Sequence, residues 1–131
     1  MPTETIPVVS SQDIVRVRQA VRAASAEQGL SLVDQTKIVT AASELARNMI
    51  DYAGGGEVTI EKARNGTRRG MRVVFEDHGP GIADLALAMK EGYTSGNGLG
   101  LGLPGARRLV NEFEIVSRPG EGTRVAIARW H

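Results

Sequence analysis

Apolar residues recur every three or four positions in the N-terminal half of the chain, which predicts two amphipathic helices. The first is expected to begin at Ser10, which forms a capping-box pattern with Asp13, and to end near Gly29. Its apolar stripe comprises Ile14, Val17, Val21 and Ala24. The second is expected from Leu32 to Ala53, where three consecutive glycines end it. Its stripe comprises Ile38, Leu45, Met49 and Tyr52.

The other segments alternate apolar and polar residues, as half-buried β-strands do. The run at 4–9 predicts an edge strand, on which Pro7 is tolerated because an edge need not donate every N–H. The remaining predicted elements are a hairpin with strands around 58–60 and 71–75, helices at 83–90 and 103–112, and strands at 114–117 and 123–130. This order predicts one α/β domain over residues 1–131, a two-layer α+β sandwich whose mixed, mostly antiparallel sheet carries helices on one face.

Composition narrows the classes of function. The 16 basic and 15 acidic residues are interspersed and aromatic residues make up 4%, which argues against a nucleic-acid or membrane surface. Because the chain has no cysteine, disulfides, thiolate metal sites and cysteine nucleophiles are excluded. No signal-peptide pattern and no apolar run of about 18 residues is present, so a cytoplasmic protein is the expectation.

The segment TSGNGLGLGLPGARRL at 94–109 is unusually rich in glycine and leads into a predicted helix. Within it, GLGLPG matches the dinucleotide pattern G-x-G-x-x-G, but the preceding KEGYTSGN is loop rather than the strand that this fold requires. Exposed backbone amides at a helix N-terminus can bind phosphate oxygens, so the segment is a candidate phosphate-binding site. The alternative interpretation is that the segment is a flexible loop. The glycines concerned are Gly96, Gly98, Gly100 and Gly102.

Three further patterns carry candidate chemistry. Glu44 and Asn48 are four residues apart on the second helix and share a face, where a carboxylate can accept a proton and a carboxamide can ligate Mg²⁺. In DHGPGI, Asp77 ends a strand and can accept a hydrogen bond from an exocyclic amine. The turn GEGT places the hydroxyl of Thr123 where it can join the same network. Taken singly, these patterns are common on solvated helix faces and in ordinary turns.

Together, E-x-x-x-N, D-x-G-x-G, S-G-x-G-x-G and G-x-G-T follow one another in this order from the second helix to the C-terminal strand. In this the chain resembles the GHKL superfamily of ATP-binding domains, which share the Bergerat fold. The segments SELARN, YAGGG, GLGLGLPGARRL and NEFEI resemble most the RsbT-type switch serine/threonine kinases of bacterial stress-response modules.

The resemblance implies a role for each matched residue in an ATP- and Mg²⁺-dependent phosphoryl transfer. Asn48 would hold Mg²⁺, Glu44 would be the general base, and Asp77 would bind the adenine amino group with help from Thr123. The resemblance further implies that the nucleotide approaches the backbone closely at six glycines, which are Gly79, Gly81, Gly96, Gly98, Gly100 and Gly102.

The resemblance also implies partners: a STAS-domain antagonist protein as the substrate, a PP2C-type phosphatase that the released kinase activates by binding, and a larger complex of STAS proteins. Related kinases carry a basic residue where this chain has Thr94, and no Lys or Arg lies between Glu91 and Ala106. Two alternatives therefore stay open, a non-catalytic nucleotide-binding adaptor and an anti-sigma factor that binds a sigma factor directly.

Overall fold

The structure, a computed structural model, describes residues 3–82, 89 and 102–131. The described part contains five strands and three helices. In chain order they are β1 (Thr3–Val8), α1 (Ser11–Glu27), α2 (Leu32–Ala53), β2 (Gly56–Asn65), β3 (Arg68–Asp77), α3 (Gly102–Arg108), β4 (Glu112–Arg118) and β5 (Gly122–Trp130). The helix predicted at 83–90 falls outside the described residues.

The five strands form one sheet in the order β1-β2-β3-β5-β4. Each of the four pairings is antiparallel, and the register places Asp77 at the end of β3 opposite Thr123 at the start of β5. This arrangement confirms the predicted α/β fold with a largely antiparallel sheet. The register also brings the turn after β3 next to the turn between β4 and β5.

One face of the sheet is covered by α1 and α2, and the core lies between these two layers. Apolar side chains of both helices are fully buried against the middle of β2, β3 and β5. Burial of each such side chain contributes roughly 1.5–3 kcal/mol to the free energy of unfolding. The largest fully buried side chains of the whole core, on helices and strands together, are Phe75, Ile38, Leu45, Met71 and Ile127. The packing fixes α2 against the centre of the sheet.

Local signals set the helix ends as the sequence predicted. The Asp13 carboxylate accepts hydrogen bonds from the N–H groups of Val9, at 2.9 Å, and Ser10, at 3.1 Å. The bond from Val9 is the main cause that lowers the pKa of Asp13 below its ordinary value. At the other helix, Ser31 accepts from the Asp34 N–H at 3.1 Å, and Gly54 ends α2 with a φ of +76°.

The last helix ends earlier than predicted, at Arg108 instead of residue 112. Asn111 explains the difference, because it joins the sheet instead of continuing the helix. Its N–H donates to Ala128 O at 2.9 Å, and its side-chain oxygen accepts from the Trp130 N–H at 2.8 Å. Both are tertiary contacts, which outweigh the helical propensity of the segment.

A partly buried ion pair connects α2, β5 and the end of α3. Arg129 on β5 donates to the carboxylate of Asp34 at 2.7 Å and to Leu109 O at 3.0 Å. The bond from Arg129 is the main cause that lowers the pKa of Asp34. The pair fixes the N-terminal turn of α2.

Among the described helices, none is long and apolar enough to span a membrane.

Candidate functional site

Glu44 and Asn48 lie one turn apart on α2, on the same side of the helix and next to its buried stripe. Both side chains are half-buried, while Leu45 and Met49 beside them are in the core. The helix rise separates the two positions by about 6 Å. A carboxylate and a carboxamide are therefore held on a rigid element at the boundary between core and solvent.

Asp77 ends β3 with its carboxylate built into the following turn. Its Oδ1 accepts hydrogen bonds from the Gly79 N–H at 3.0 Å and from the Thr123 N–H at 3.2 Å. No described residue donates to Oδ2. One oxygen thus fixes the side chain, and the other can accept a hydrogen bond from a ligand.

The turn that contains Asp77 packs on the last turns of α2. A Cβ placed on Gly79 would lie 2.5 Å from the Cβ of Ala53 and 2.9 Å from its Cα. Gly56 sits between the two elements, since a Cβ there would lie 3.0 Å from Met49 Sδ and 3.2 Å from Asp77 Cβ. The fold therefore sets the Asp77 turn beside the end of α2 that follows Asn48.

A second turn, between β4 and β5, supports the first from the other side. Gly81 and Gly122 have φ values of +75° and +90°, and side chains there would meet the carbonyl oxygens of Arg118 and Asp77 respectively. Gly120 N–H donates to Pro80 O at 2.7 Å. The two turns are in close backbone contact, which leaves no room for a Cβ at either glycine.

The hydroxyl of Thr123 was predicted to join the network of Asp77, but it bonds to Ser117 at 2.7 Å, while the Thr123 N–H bonds to Asp77. Ser117 also accepts from the Ile82 N–H at 2.7 Å. Sequence reasoning missed Ser117, although its position opposite Thr123 across a tight hairpin turn was the available signal. Ser117 thus links Ile82, the residue after Gly81, to the sheet.

Of the four glycines predicted to bind the phosphates, only Gly102 lies within the described residues. It begins α3 with a φ of +68°. The helix packs on α2 through the buried side chains of Pro104 and Ala106. The predicted phosphate-binding residues Gly96, Gly98 and Gly100 lie outside the described residues.

The residues present fit a nucleotide with a divalent cation. Within 3–82, 89 and 102–131, no group of three or more His, Cys, Asp or Glu side chains could hold a metal ion by itself. Mg²⁺ at protein sites commonly combines one or two side-chain oxygens with phosphate oxygens and water, and Asn48 offers such an oxygen. The Oδ2 atom of Asp77 adds an acceptor beside the end of α2 that follows Asn48.

Comparison with known proteins agrees with this geometry. The family model described as "Histidine kinase-, DNA gyrase B-, and HSP90-like ATPase" matches residues 33–130. The chain is 42% identical over 125 residues to the serine/threonine-protein kinase RsbT of Bacillus subtilis (strain 168), which covers 95% of this chain and 94% of that protein. It is 29% identical over 126 residues to an anti-sigma F factor of Thermoanaerobacter sp. (strain X514), over 92% and 87% of the two chains.

A solved structure extends the likeness to the fold. The crystal structure of the RsbU and RsbW domains of a Mycobacterium tuberculosis protein matches with a TM-score of 0.67 and 25% identity. The match covers 99% of this chain but 32% of that longer one. The predicted GHKL ATPase fold and the predicted class of RsbT-type serine/threonine kinase are confirmed by these likenesses. The chain therefore belongs to the histidine kinase-, DNA gyrase B- and HSP90-like ATPase family, among its RsbT-like protein kinases.

Proposed function

We propose that this kinase uses ATP and Mg²⁺ to phosphorylate a serine or threonine of a STAS-domain antagonist protein in a partner-switching stress-signalling module. When released from the antagonist, it binds and activates a PP2C-type phosphatase. The observation that carries the proposal is the packing of the Asp77 turn on the last turns of α2, the helix that bears Glu44 and Asn48. This packing supports roles for Asp77 as the adenine acceptor, for Asn48 as the metal ligand and for Glu44 as the base.

Each of these residues has a defined task. Asn48 would ligate Mg²⁺ through its carboxamide oxygen, which carries no charge and has no proton to lose at neutral pH. Asp77 would accept a hydrogen bond from the adenine amino group at Oδ2, because Oδ1 is held by two backbone N–H groups. That bonding keeps the carboxylate in a single orientation before the nucleotide arrives.

Glu44 would act on the acceptor protein. ATP supplies the γ-phosphoryl group, which passes to the acceptor oxygen while the bond to the β-phosphate oxygen breaks and ADP leaves with that electron pair. The Glu44 carboxylate receives the proton of the acceptor hydroxyl. Positioning and charge neutralisation provide most of the rate in such transfers, and a positioned base adds about 10²–10⁴-fold.

Support for the partners comes from the relatives. One is named an anti-sigma F factor, and the structural match contains RsbU and RsbW domains, which supports a partner-switching role for this chain. The STAS substrate and the PP2C phosphatase are extended to this chain by analogy with its RsbT-like class.

The proposal is tested by incubating the protein with ATP labelled at the γ-phosphate, Mg²⁺ and purified STAS-domain proteins of the same organism. We expect a labelled serine or threonine on one of them. Glu44→Gln should lower the transfer rate at least 100-fold and keep ATP affinity within about twofold, because the base does not hold the nucleotide. Glu57→Gln, at an exposed position on β2, is the matched control and should leave both values unchanged.

Two outcomes would contradict the proposal. Full transfer by Glu44→Gln would remove Glu44 as the base. If the chain binds ATP but labels no protein, the non-catalytic adaptor would be favoured. The lack of Lys and Arg between Glu91 and Ala106 supports that alternative. Capture of a sigma factor by the protein in that case would favour the anti-sigma alternative, which the 29% identity to an anti-sigma F factor supports.

A further inference from the structure

We propose that Ser117 sets the base specificity of the site, because it fixes the direction of the Thr123 hydroxyl proton. Thr123 can then accept a hydrogen bond from a purine but cannot donate one. The inference rests on the proposed function, since it takes Asp77 and Thr123 as the residues that meet the base. It adds a positioning residue that does not touch the base itself, and it states which purines the site rejects.

Ser117, Thr123 and Asp77 form one row across the sheet. Thr123 on β5 lies opposite both Ser117 on β4 and Asp77 on β3. All three side chains are half-buried, and on each strand they come two positions beyond the last apolar side chain of the core. Neighbouring side chains on one face of antiparallel strands have Cβ atoms about 4.5–5.5 Å apart. A base that bonds to Asp77 Oδ2 would therefore lie next to the Thr123 side chain.

The Ser117 hydroxyl makes three short contacts. Its oxygen accepts a hydrogen bond from the Ile82 N–H at 2.7 Å. It lies 3.2 Å from the carbonyl oxygen of Gly122, which can only accept, and 2.7 Å from Thr123 Oγ1. Within the part of the chain that the structure describes, the Thr123 hydroxyl has no hydrogen-bond partner other than Ser117. A serine hydroxyl has one proton to donate and two lone pairs that accept.

These contacts decide the direction of the bond between the two hydroxyls. If Ser117 donates to Gly122 O and Thr123 donates to Ser117, all three contacts are hydrogen bonds and both hydroxyl protons have an acceptor. If Ser117 donates to Thr123 instead, the bond to Gly122 O is lost. The Thr123 proton then has no acceptor among the described residues. The first arrangement makes one more hydrogen bond and is therefore favoured.

This direction turns the row into a surface of acceptors. The Thr123 proton points to Ser117, so Thr123 Oγ1 offers only lone pairs to a ligand. Asp77 Oδ2 also accepts and cannot donate while its carboxylate is ionised. Adenine carries two amino protons at position 6, which suit two acceptors. The match also holds through a bridging water that donates one proton to Thr123 and the other to the lone pair of ring nitrogen N1.

A purine with a carbonyl group at position 6 does not fit this surface. In hypoxanthine and guanine the carbonyl oxygen would face the lone pairs of Asp77 and Thr123, and N1 carries a proton instead of a lone pair. A threonine hydroxyl that was free to turn could donate to that carbonyl, but Ser117 holds the Thr123 proton. A polar site rejects ligands that leave its groups unpaired, so Ser117 excludes 6-oxopurines by acting through Thr123.

The test compares unhydrolysable analogues of ATP and ITP, whose bases differ only at position 6 and in the proton on N1. Calorimetric titration in Mg²⁺ should give at least 100-fold tighter binding of the ATP analogue to the unaltered protein. In Ser117→Ala the Thr123 hydroxyl is free to turn. The ratio of the two Kd values should therefore fall about 5-fold, which corresponds to one neutral hydrogen bond. Ser117→Thr retains the hydroxyl and should retain the ratio.

Two controls distinguish this effect from a general weakening of the site. Ser25→Ala is the matched control, because it removes a buried hydroxyl on α1 that donates to Arg22 O, and it should leave both affinities unchanged. The second control adds Ser117→Ala to Thr123→Val. The ratio should not change further in this double variant, because Ser117 acts through the hydroxyl that Thr123→Val has already removed.

Three results would overturn the inference and leave the kinase proposal standing. The first is an unchanged ratio in Ser117→Ala, including equal weakening of both analogues. The second is a further fall of the ratio when Ser117→Ala is added to Thr123→Val. The third is equal binding of the two analogues by the unaltered protein. If the unaltered protein binds neither analogue, the proposed nucleotide site is refuted, and the inference with it.

Discussion

The contact between Gly79 and Ala53 gives a sharp prediction, because it holds the Asp77 turn against α2. In Gly79→Ala the new Cβ would lie 2.5 Å from the Cβ of Ala53 and 2.9 Å from its Cα. Carbon atoms in ordinary contact are about 3.5–4.0 Å apart. The turn must therefore retreat by about 1 Å, at a cost of roughly 1–3 kcal/mol for overpacking.

The retreat has a second effect, on Asp77. The Gly79 N–H donates to Asp77 Oδ1 at 3.0 Å, and a shift of about 1 Å takes this pair beyond hydrogen-bond distance. The carboxylate would then be held by the Thr123 N–H alone. Loss of one of its two fixed bonds leaves the carboxylate less well oriented, for which we expect a decrease of about 10-fold in nucleotide affinity, or about 1.4 kcal/mol.

The assay is isothermal titration of Gly79→Ala with Mg²⁺ and an unhydrolysable ATP analogue, together with urea denaturation to measure the free energy of unfolding. Gly66→Ala is the control: Gly66 has a φ of +63° and open space around it, in the turn between β2 and β3. The control should lose about 1 kcal/mol of stability from the backbone strain and keep its nucleotide affinity.

A partial rescue would strengthen the account. Adding Ala53→Gly removes the contact at 2.5 Å but leaves the one with Cα at 2.9 Å, so affinity should recover in part. If Gly79→Ala binds the analogue as tightly as the unaltered protein and unfolds at the same urea concentration, the close approach does not position Asp77, and the reasoning is refuted.

Two further predictions concern polar contacts that connect the helices to the sheet. Asp34→Asn should lower the free energy of unfolding by about 2 kcal/mol at pH 7, because it leaves Arg129 without its carboxylate. The bond from Arg129 lowers the pKa of Asp34 below its ordinary value of 3.8. The difference in the free energy of unfolding between the variant and the unaltered protein should therefore persist above pH 4 and shrink as the pH falls further. A difference that does not depend on pH would contradict this prediction. Gln28→Met should cost about 2 kcal/mol, because Gln28 is 2% exposed and its side chain makes three hydrogen bonds to the β2–β3 hairpin. Gln19→Met, at an exposed position on α1, should cost close to nothing, and an equal loss in both glutamine variants would remove the effect of burial.

Much of this fold could be predicted because its helix ends are encoded locally. The bounds of α2, Leu32–Ala53, agree with the prediction since Ser31 caps the first turn and Gly54 stops the last one. The hairpin of β2 and β3 follows from two alternating runs around one turn. Both signals lie within a few residues of the feature that they determine.

The end of α3 could not be predicted because it depends on distant residues. Asn111 leaves the helix to bond Ala128 and Trp130, which are 17 and 19 positions away along the sequence. The sequence around Asn111 contains no signal for these partners. Only the register between β4 and β5 reveals them.

In the candidate site, too, the features that depend on local spacing could be predicted, and those that depend on distant residues could not. Glu44 and Asn48 follow from helical spacing, and the structure places both on one side of α2 as that spacing requires. The bonding of Asp77 to the N–H of Thr123, and of the Thr123 hydroxyl to Ser117, depends on the pairing of β3 and β4 with β5. Pattern alone predicted Asp77 and Thr123, but it predicted neither Ser117 nor which atoms of these residues meet.

The central claim is that α2 and the Asp77 turn hold a nucleotide whose Mg²⁺ is ligated by Asn48. Calorimetric titration with an unhydrolysable ATP analogue tests it most directly, in Mg²⁺ and in excess chelator, on the unaltered protein and on Asn48→Ala. We predict that Mg²⁺ tightens binding to the unaltered protein at least 10-fold, or about 1.4 kcal/mol, and that Asn48→Ala loses most of that gain. No heat of binding at millimolar analogue, or an equal gain from Mg²⁺ in Asn48→Ala, would contradict the account.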